Sequence, residues 1–357
     1  LVFTCKRIHK NNYWENEKMT DHLIIPRLKE VFHDSFRIGT AVNDFTLETR
    51  EEVLAKHFNS LTAENSMKFV SIQEEEGIFD FSEGNRIVAF AKANDMVVRG
   101  HTLVWHNQTP EWVFYTDKDK TTLASKELLL ERMTTHIQTV MKHYEDSILC
   151  WDVVNEAIED KEGMRLRESL WYKIMGEDFI DQAFRIAHAA NPKAQLFYND
   201  YNESTPEKVE KIYTTVKGML ERGVPVHGIG LQCHWNLNNP SLTDIEQAIE
   251  KYASLGVRLH ITEMDVSVFD FEDRRTDLLR PTEEQLELQA KRYEAFFKIF
   301  RAHSDVIDSV TFWGVDDAYT WLDGFPVPDR KNWPFLLDEK SEPKPAFWRV
   351  VNTLEEK

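Results

Sequence analysis

A chain of 357 residues is too long for one small core, and with 42% apolar and 29% charged residues it lies well away from the disordered class. Its formal net charge of −18 repels polyanions, which argues against nucleic acid or an anionic membrane surface as a partner and leaves a neutral ligand compatible. No apolar run approaches the ~18 residues of a transmembrane helix, and the scattered Cys5, Cys150 and Cys233 form neither a disulfide framework nor a CxxC metal pattern.

The first 18 residues, LVFTCKRIHKNNYWENEK, lack the apolar stretch of a signal peptide and are set aside as an extension. Residues 19–357 are expected to form one folded unit. Eight short β-rich runs then alternate with helices: 36–43 (FRIGTAVN), 60–65 (SLTAEN), 97–105 (VVRGHTLVW), 149–157 (LCWDVVNEA), 195–200 (QLFYND), 228–235 (GIGLQCHW), 258–266 (RLHITEMDV) and 309–315 (SVTFWGV). Helix starts are marked between them. Thr205-Pro206 predicts an N-cap followed by proline, and Ser241–Asp244 and Thr282–Gln285 predict capping boxes. Leu286, Tyr293, Phe296, Phe297 and Phe300 make an apolar helix face that should pack on the sheet. Eight strands alternating with helices predict a parallel sheet closed as a single TIM (β/α)8 barrel. A doubly wound open sheet would want a glycine-rich phosphate turn, whereas the first turn reads GTAVNDF and no GxGxxG follows anywhere.

In such a barrel the functional face is the C-terminal ends of the strands. Those ends carry Asn43, then Glu64 and Asn65, then His101, Trp105 and His106, then Asn155 and Glu156. They continue with Tyr198, Asn199 and Asp200, Gln232 and His234, Glu263 and Asp265, and Trp313. A lone polar residue at a strand end is commonly a cap or a satisfied core group. So many at one end of a barrel argue for a site. Glu156 and Glu263 end strands four and seven, on opposite walls, and paired carboxylates across a sugar-sized cleft suit glycoside hydrolysis. The structural alternative is that they form buried ion pairs with Lys68 or Arg99. Trp105, Trp235, Trp313 and Trp321 fall at or beyond strand ends, where an indole offers an apolar face and one N–H to a sugar. An early HxH pair for a metal hydrolase and a GxSxG serine elbow are both missing from the sequence.

These residues also carry a family resemblance. WDVVNEA around Glu156 and HITEMDV around Glu263 resemble the signatures of glycoside hydrolase family 10, the β-1,4-xylanases. TAENSMKF, GHTLVWHNQTPEW, FYNDYN, GIGLQCHW and FWGVDDAYTWL extend the likeness over roughly residues 27 to 350. The resemblance implies an endo-type enzyme that cuts xylan and xylo-oligosaccharides with retention. Glu156 would be the acid/base and Glu263 the nucleophile, without metal or cofactor. It implies that Asn155 binds the sugar 2-hydroxyl at the cleavage site, and that Glu64, Asn65 and Lys68 hold the next sugar toward the non-reducing end. His101, Trp105, Gln232, Trp313 and Trp321 would line the cleavage site. His234 and Asp265 would surround Glu263, with Tyr198 in support. A cis His101–Thr102 peptide and a cytoplasmic location, as in the intracellular branch, are further implications. The rivals are a barrel glycosidase acting on cellulose or mannan and a non-catalytic sugar-binding barrel. Trp313 and Trp321, placed to crowd a C6 hydroxymethyl group, speak against the first, and the presence of both carboxylates against the second.

Overall fold

The computed structural model describes residues 25–354. The 18-residue extension and Cys5 lie outside the described residues. Ten strands build one sheet: β1 Arg37–Val42, β2 Ser60–Ala63, β3 Val97–Arg99, β4 Val104–Trp105, β5 Cys150–Asn155, β6 Gln195–Asp200, β7 Gly228–Leu231, β8 His234–Asn236, β9 Arg258–Ser267 and β10 Ile307–Phe312. All their pairings are parallel. The hydrogen-bonded order is β3-β2-β1-β10-β9-β7-β6-β5-β4, with β8 against β9. Its two ends, β3 and β4, are halves of one run. Gly100 between them closes the ring on β5: its N–H donates to Cys150 O at 2.9 Å, and Asp152 N–H donates to Gly100 O at 2.9 Å. Since β7 and β8 are likewise halves of one stave, ten strands make eight staves, and the sheet is the expected (β/α)8 barrel. The closure needs glycine, because a Cβ at residue 100 would come within 2.2 Å of the Trp151 ring.

Only the run 195–200 keeps its predicted bounds, and three of the others differ in ways that bear on the site. The run 97–105 is interrupted at His101–Thr102, whose peptide is cis as the resemblance implies. The run 228–235 breaks at Cys233, whose φ of +59° leaves the pleated conformation. The last strand is 307–312, so Trp313 begins the loop after it.

Helices cover the outside of the sheet. The helix Glu283–Ala302 buries Tyr293, Phe296, Phe297 and Phe300 completely, while Leu286 is only partly covered. Phe297 packs 5.1 Å from Phe32 and 6.2 Å from Phe312, ring centre to ring centre. Each such ring contributes on the order of 1.5–3 kcal/mol by leaving water. Thr282 and Gln285 form the reciprocal capping box. At Ser241 only half of it exists, because Asp244 turns its carboxylate onto the Ser241 hydroxyl at 2.6 Å. Thr205 occupies the N-cap before Pro206 without a side-chain capping bond. Among the described residues no helix is long and apolar enough to cross a membrane.

Candidate active site

Two strand ends deliver the carboxylates. Glu263 lies within β9, while Glu156 stands one residue beyond β5 at φ +57°, a left-handed position that turns its side chain off the strand. Trp105 Nε1 donates to Glu156 Oε2 at 2.8 Å, and Gln232 Nε2 and Asn155 Nδ2 reach Oε1 at 3.1 and 3.3 Å. Glu263 Oε1 accepts from Asn199 Nδ2 at 2.7 Å, and His234 Nε2 lies 3.3 Å from Oε2. The two groups share one amide web. Asn199 Nδ2 also donates to Asn155 Oδ1 at 2.9 Å, as does Gln232 Nε2 at 3.1 Å. Thr262 orients Asn199 by donating to its Oδ1 at 2.7 Å.

Electrostatics separates the pair. Burial pushes Glu156 from 4.5 up to about 7; the charges of Asp200 and Glu263 add to it, and the hydrogen bonds from Gln232 and Trp105 oppose it. Burial acts the same way on Glu263, but His101, His234 and Arg99 overcome it and hold the carboxyl at about 2. His234 loses charge to burial and regains more from Asp265 and Glu263, ending near 10. A protonated imidazole donates from both nitrogens, which suits its second contact, Nδ1 to Asp265 Oδ2 at 2.9 Å. Asp265 therefore meets Glu263 through His234, and Trp321 Nε1 steadies that same Asp265 oxygen at 2.8 Å. On the other flank His101 Nδ1 sits 2.8 Å from Asp152 Oδ2, an oxygen that also accepts from Arg99. Trp313 packs edge-on to His101, 5.2 Å between ring centres.

Glu64, Asn65 and Lys68, expected to hold a neighbouring sugar, are each engaged by side chains around them. Glu64 accepts from Asn43 Nδ2 at 2.7 Å and from the Tyr319 hydroxyl at 3.2 Å. Lys68 Nζ donates to Asn65 Oδ1 at 3.0 Å and to Gln108 Oε1 at 2.8 Å, and lies 4.9 Å from the centre of the Trp105 ring. Tyr198 is wholly buried, and its hydroxyl accepts the backbone amides of Ala157 and Ile158 at 3.1 Å each.

A family model described as glycosyl hydrolase family 10 matches residues 27–353. The chain belongs to glycosyl hydrolase family 10. Among the relatives of this family 10 chain is the endo-1,4-beta-xylanase of Geobacillus stearothermophilus, 56% identical over 92% of this chain and 98% of the relative. Xylanase XynB from Paenibacillus barcinonensis, solved with a conduramine derivative, superposes with a TM-score of 0.90 at 54% identity, covering 92% of this chain and 99% of that one. A mutant protein solved in complex with xylotriose has a TM-score of 0.89 at 50% identity, covering 91% and 99%.

Within this family 10 site, several sequence expectations change. Trp235 is not on the rim: it points into the helix layer, 4.6 Å from the Phe296 ring, with its N–H on Glu203 Oε1 at 3.1 Å. Arg99 is bound to Asp152, and Lys68 to Asn65 and Gln108, so the ion-pair alternative for the two glutamates does not describe this site. Gln232 and His234 both face the site although the left-handed Cys233 separates them. Asp152, Gln108 and Tyr319 are not among the strand-end residues read in the sequence, and Asn199, which is among them, carries no assigned role there. Asn199 has a signal, lying one residue before the end of its strand; Asp152 lies inside an apolar run and has none. His101, Asp152 and Glu263 bring one ligand atom each within 4.8 Å of one another. The chemistry of that donor set suits a proton network better than a cation: the Asp152 oxygen already serves Arg99 and His101, and the guanidinium places positive charge beside it.

Proposed function

We propose that this family 10 enzyme is an endo-1,4-β-xylanase acting with retention of configuration, with Glu156 as acid/base and Glu263 as nucleophile. The observation that carries the reading is the opposite protonation preference of two glutamates tied into one amide web. Pairs of carboxyls pushed apart in this way divide the acid and base labour of glycoside hydrolysis. The relatives named as xylanases, and the neighbour holding xylotriose, point to xylan and its oligomers as substrate.

In the first step the Glu263 carboxylate attacks the anomeric carbon while the glycosidic C–O bond breaks, and the departing oxygen takes the Glu156 proton. Esterification removes the charge on Glu263, one of the groups holding the Glu156 proton, and Glu156 can then ionise. In the second step Glu156 takes a proton from water, the water oxygen bonds to the anomeric carbon, and Glu263 leaves as carboxylate. Asn155 is assigned to the sugar 2-hydroxyl, and His101, Trp105, Gln232, Trp313 and Trp321 to the walls of the cleavage site. Glu64, Asn65 and Lys68 hold the neighbouring sugar, and His234 with Asp265 keeps Glu263 oriented and ionised. The reading extends to a cytoplasmic location, which the free thiols of Cys150 and Cys233 support.

Proton NMR during hydrolysis of xylo-oligosaccharides should show the β-anomer as the first product, with cello-oligosaccharides cut about 10–200-fold less efficiently, the discrimination a small group can provide. A first-formed α-anomer, or equal kcat/KM on cellotriose, would sink the proposal. The pH profile supplies a second check. The free enzyme needs Glu156 protonated and Glu263 ionised, so kcat/KM should fall as pH rises through about 7. Its acid limb should lie well below the ordinary glutamate value of 4.5, because Glu263 stays ionised to about 2. An alkaline limb near 4.5 would contradict the assignment of Glu156.

A further inference from the structure

A second buried network lies against the backbone of Glu156, and the proposed reaction does not use it. A non-glycine residue keeps a left-handed conformation such as Glu156's only where its surroundings hold it. Here the holding contacts are traceable. Glu156 N–H donates to the Asn199 carbonyl at 2.9 Å, and the Glu156 carbonyl accepts from Arg167 Nε at 3.1 Å. The next two amides, Ala157 and Ile158, both donate to the Tyr198 hydroxyl. That hydroxyl donates in turn to Asp200 Oδ2, which also accepts the Ile158 amide at 3.3 Å. Asp200 Oδ1 lies 3.1 Å from Lys208 Nζ. Lys208 stands in the first turn of the helix Pro206–Glu221 and donates onward to Ile158 O at 3.2 Å and Asp160 Oδ1 at 2.8 Å.

Tyr198 and Asp200 are wholly buried, and Lys208 nearly so. Burying an ion pair costs enough desolvation that apolar packing often serves stability equally well. What apolar packing cannot do is accept two consecutive amides and fix the turn before them. We propose that Asp200, clamped between Tyr198 and Lys208, is a positioning residue for Glu156: it locks the left-handed turn from which that carboxyl reaches the cleft and sets a second buried carboxylate close to it. This inference rests on the reading of Glu156 as acid/base. The charged groups around Glu156 are Glu263 on β9, Asp200 on β6, Lys68 after β2 and Arg167 on the loop after β5. Two of them, Asp200 and Glu263, oppose its ionisation.

Asp200→Asn keeps the shape and removes the charge. On xylan, kcat should fall roughly 10–10²-fold, the usual cost of a slightly misplaced reacting group, with KM unchanged. The alkaline limb of kcat/KM should move to lower pH, since one charge that holds the Glu156 proton is gone. The burst of phenol from an aryl xyloside with a good leaving group should keep its rate, because that step does not need the proton. A limb that stays in place, or an equal loss on xylan and on the aryl xyloside burst, overturns the proposal. If Asp200→Asn does not fold, Tyr198→Phe carries the test: a loss confined to xylan supports the positioning role, and an unchanged kcat on xylan overturns it. Glu156→Ala measured alongside separates the two levels. If it is unimpaired on xylan, the acid/base reading itself fails; if it is impaired beside normal Asp200→Asn and Tyr198→Phe enzymes, only the positioning role falls.

Discussion

Glu263→Ala is expected to abolish xylan hydrolysis, because no carboxylate remains to form the glycosyl ester. The surroundings of Glu263 sharpen this expectation. His234 at 3.3 Å and Asn199 at 2.7 Å are aimed at its two oxygens, and His101, His234 and Arg99 together hold it ionised against the cost of its own burial. With the carboxylate removed these donors face a small anion-sized space, so added azide should enter it. Azide attacking from the vacated side, with an aryl xyloside that needs no proton donor, should yield an α-xylosyl azide, identifiable by its anomeric NMR signal. A β-azide from this variant would reverse the two roles. Undiminished activity on xylan would show that Glu263 is only a structural partner of His234 and Asn199.

Much of this arrangement was legible in the sequence, for a physical reason. A parallel barrel buries its strands on both faces, so the runs are apolar and the first polar residue after each run sits at the open end. Asn155 with Glu156 after WDVV, Glu263 after HIT and Glu64 after SLTA follow this pattern, and hydrogen bonds through Asn155 and Asn199 join Glu156 to Glu263. Trp235 lies near a strand end and still turns away from the cleft. It neighbours His234 on β8, and adjacent strand residues face opposite sides. With His234 turned to Glu263, Trp235 must enter the helix layer, where Phe296 receives it. Alternation alone could have excluded it from the rim.

Other features leave no trace in pattern or spacing. Cys233 at φ +59° lies within GIGLQCHW, which reads as one continuous strand, so nothing in the composition marks the break between Gln232 and His234. Asp152 is flanked by Trp151 and Val153 and reads as an isolated polar residue. Only the closure of β3 and β4 onto β5 through Gly100 brings Arg99 and His101 to it. Gln108 and Tyr319 come from two separate loops and meet Lys68 and Glu64 across 40 and 255 residues of chain. Such convergence belongs to the tertiary fold, and local sequence does not encode it in readable form.

Glu156→Ala should separate what the acid/base does in each half of the reaction. Xylan has a sugar leaving group that departs poorly without a proton, so kcat/KM on xylan should fall about 10²–10⁴-fold, the usual worth of general acid catalysis. An aryl xyloside with an activated phenol needs no such help. Its phenol burst should survive, because Glu263 keeps the donors Asn199 and His234 that orient it. Turnover should then stall at the glycosyl ester, since the group that would take a proton from water is missing. Azide needs no deprotonation and should restart turnover from the face that water normally uses, giving a β-xylosyl azide, opposite in configuration to the Glu263→Ala product. The alkaline limb near pH 7 should vanish from the aryl xyloside profile in the same variant, because the group that titrates there is the one removed. Loss of the burst along with the xylan activity would mean that Glu156 supports the fold of the cleft and not the proton transfer. The web of Gln232 and Asn155, which reaches Glu156 Oε1 on one side and Glu263 through Asn199 on the other, would then be where the damage spreads.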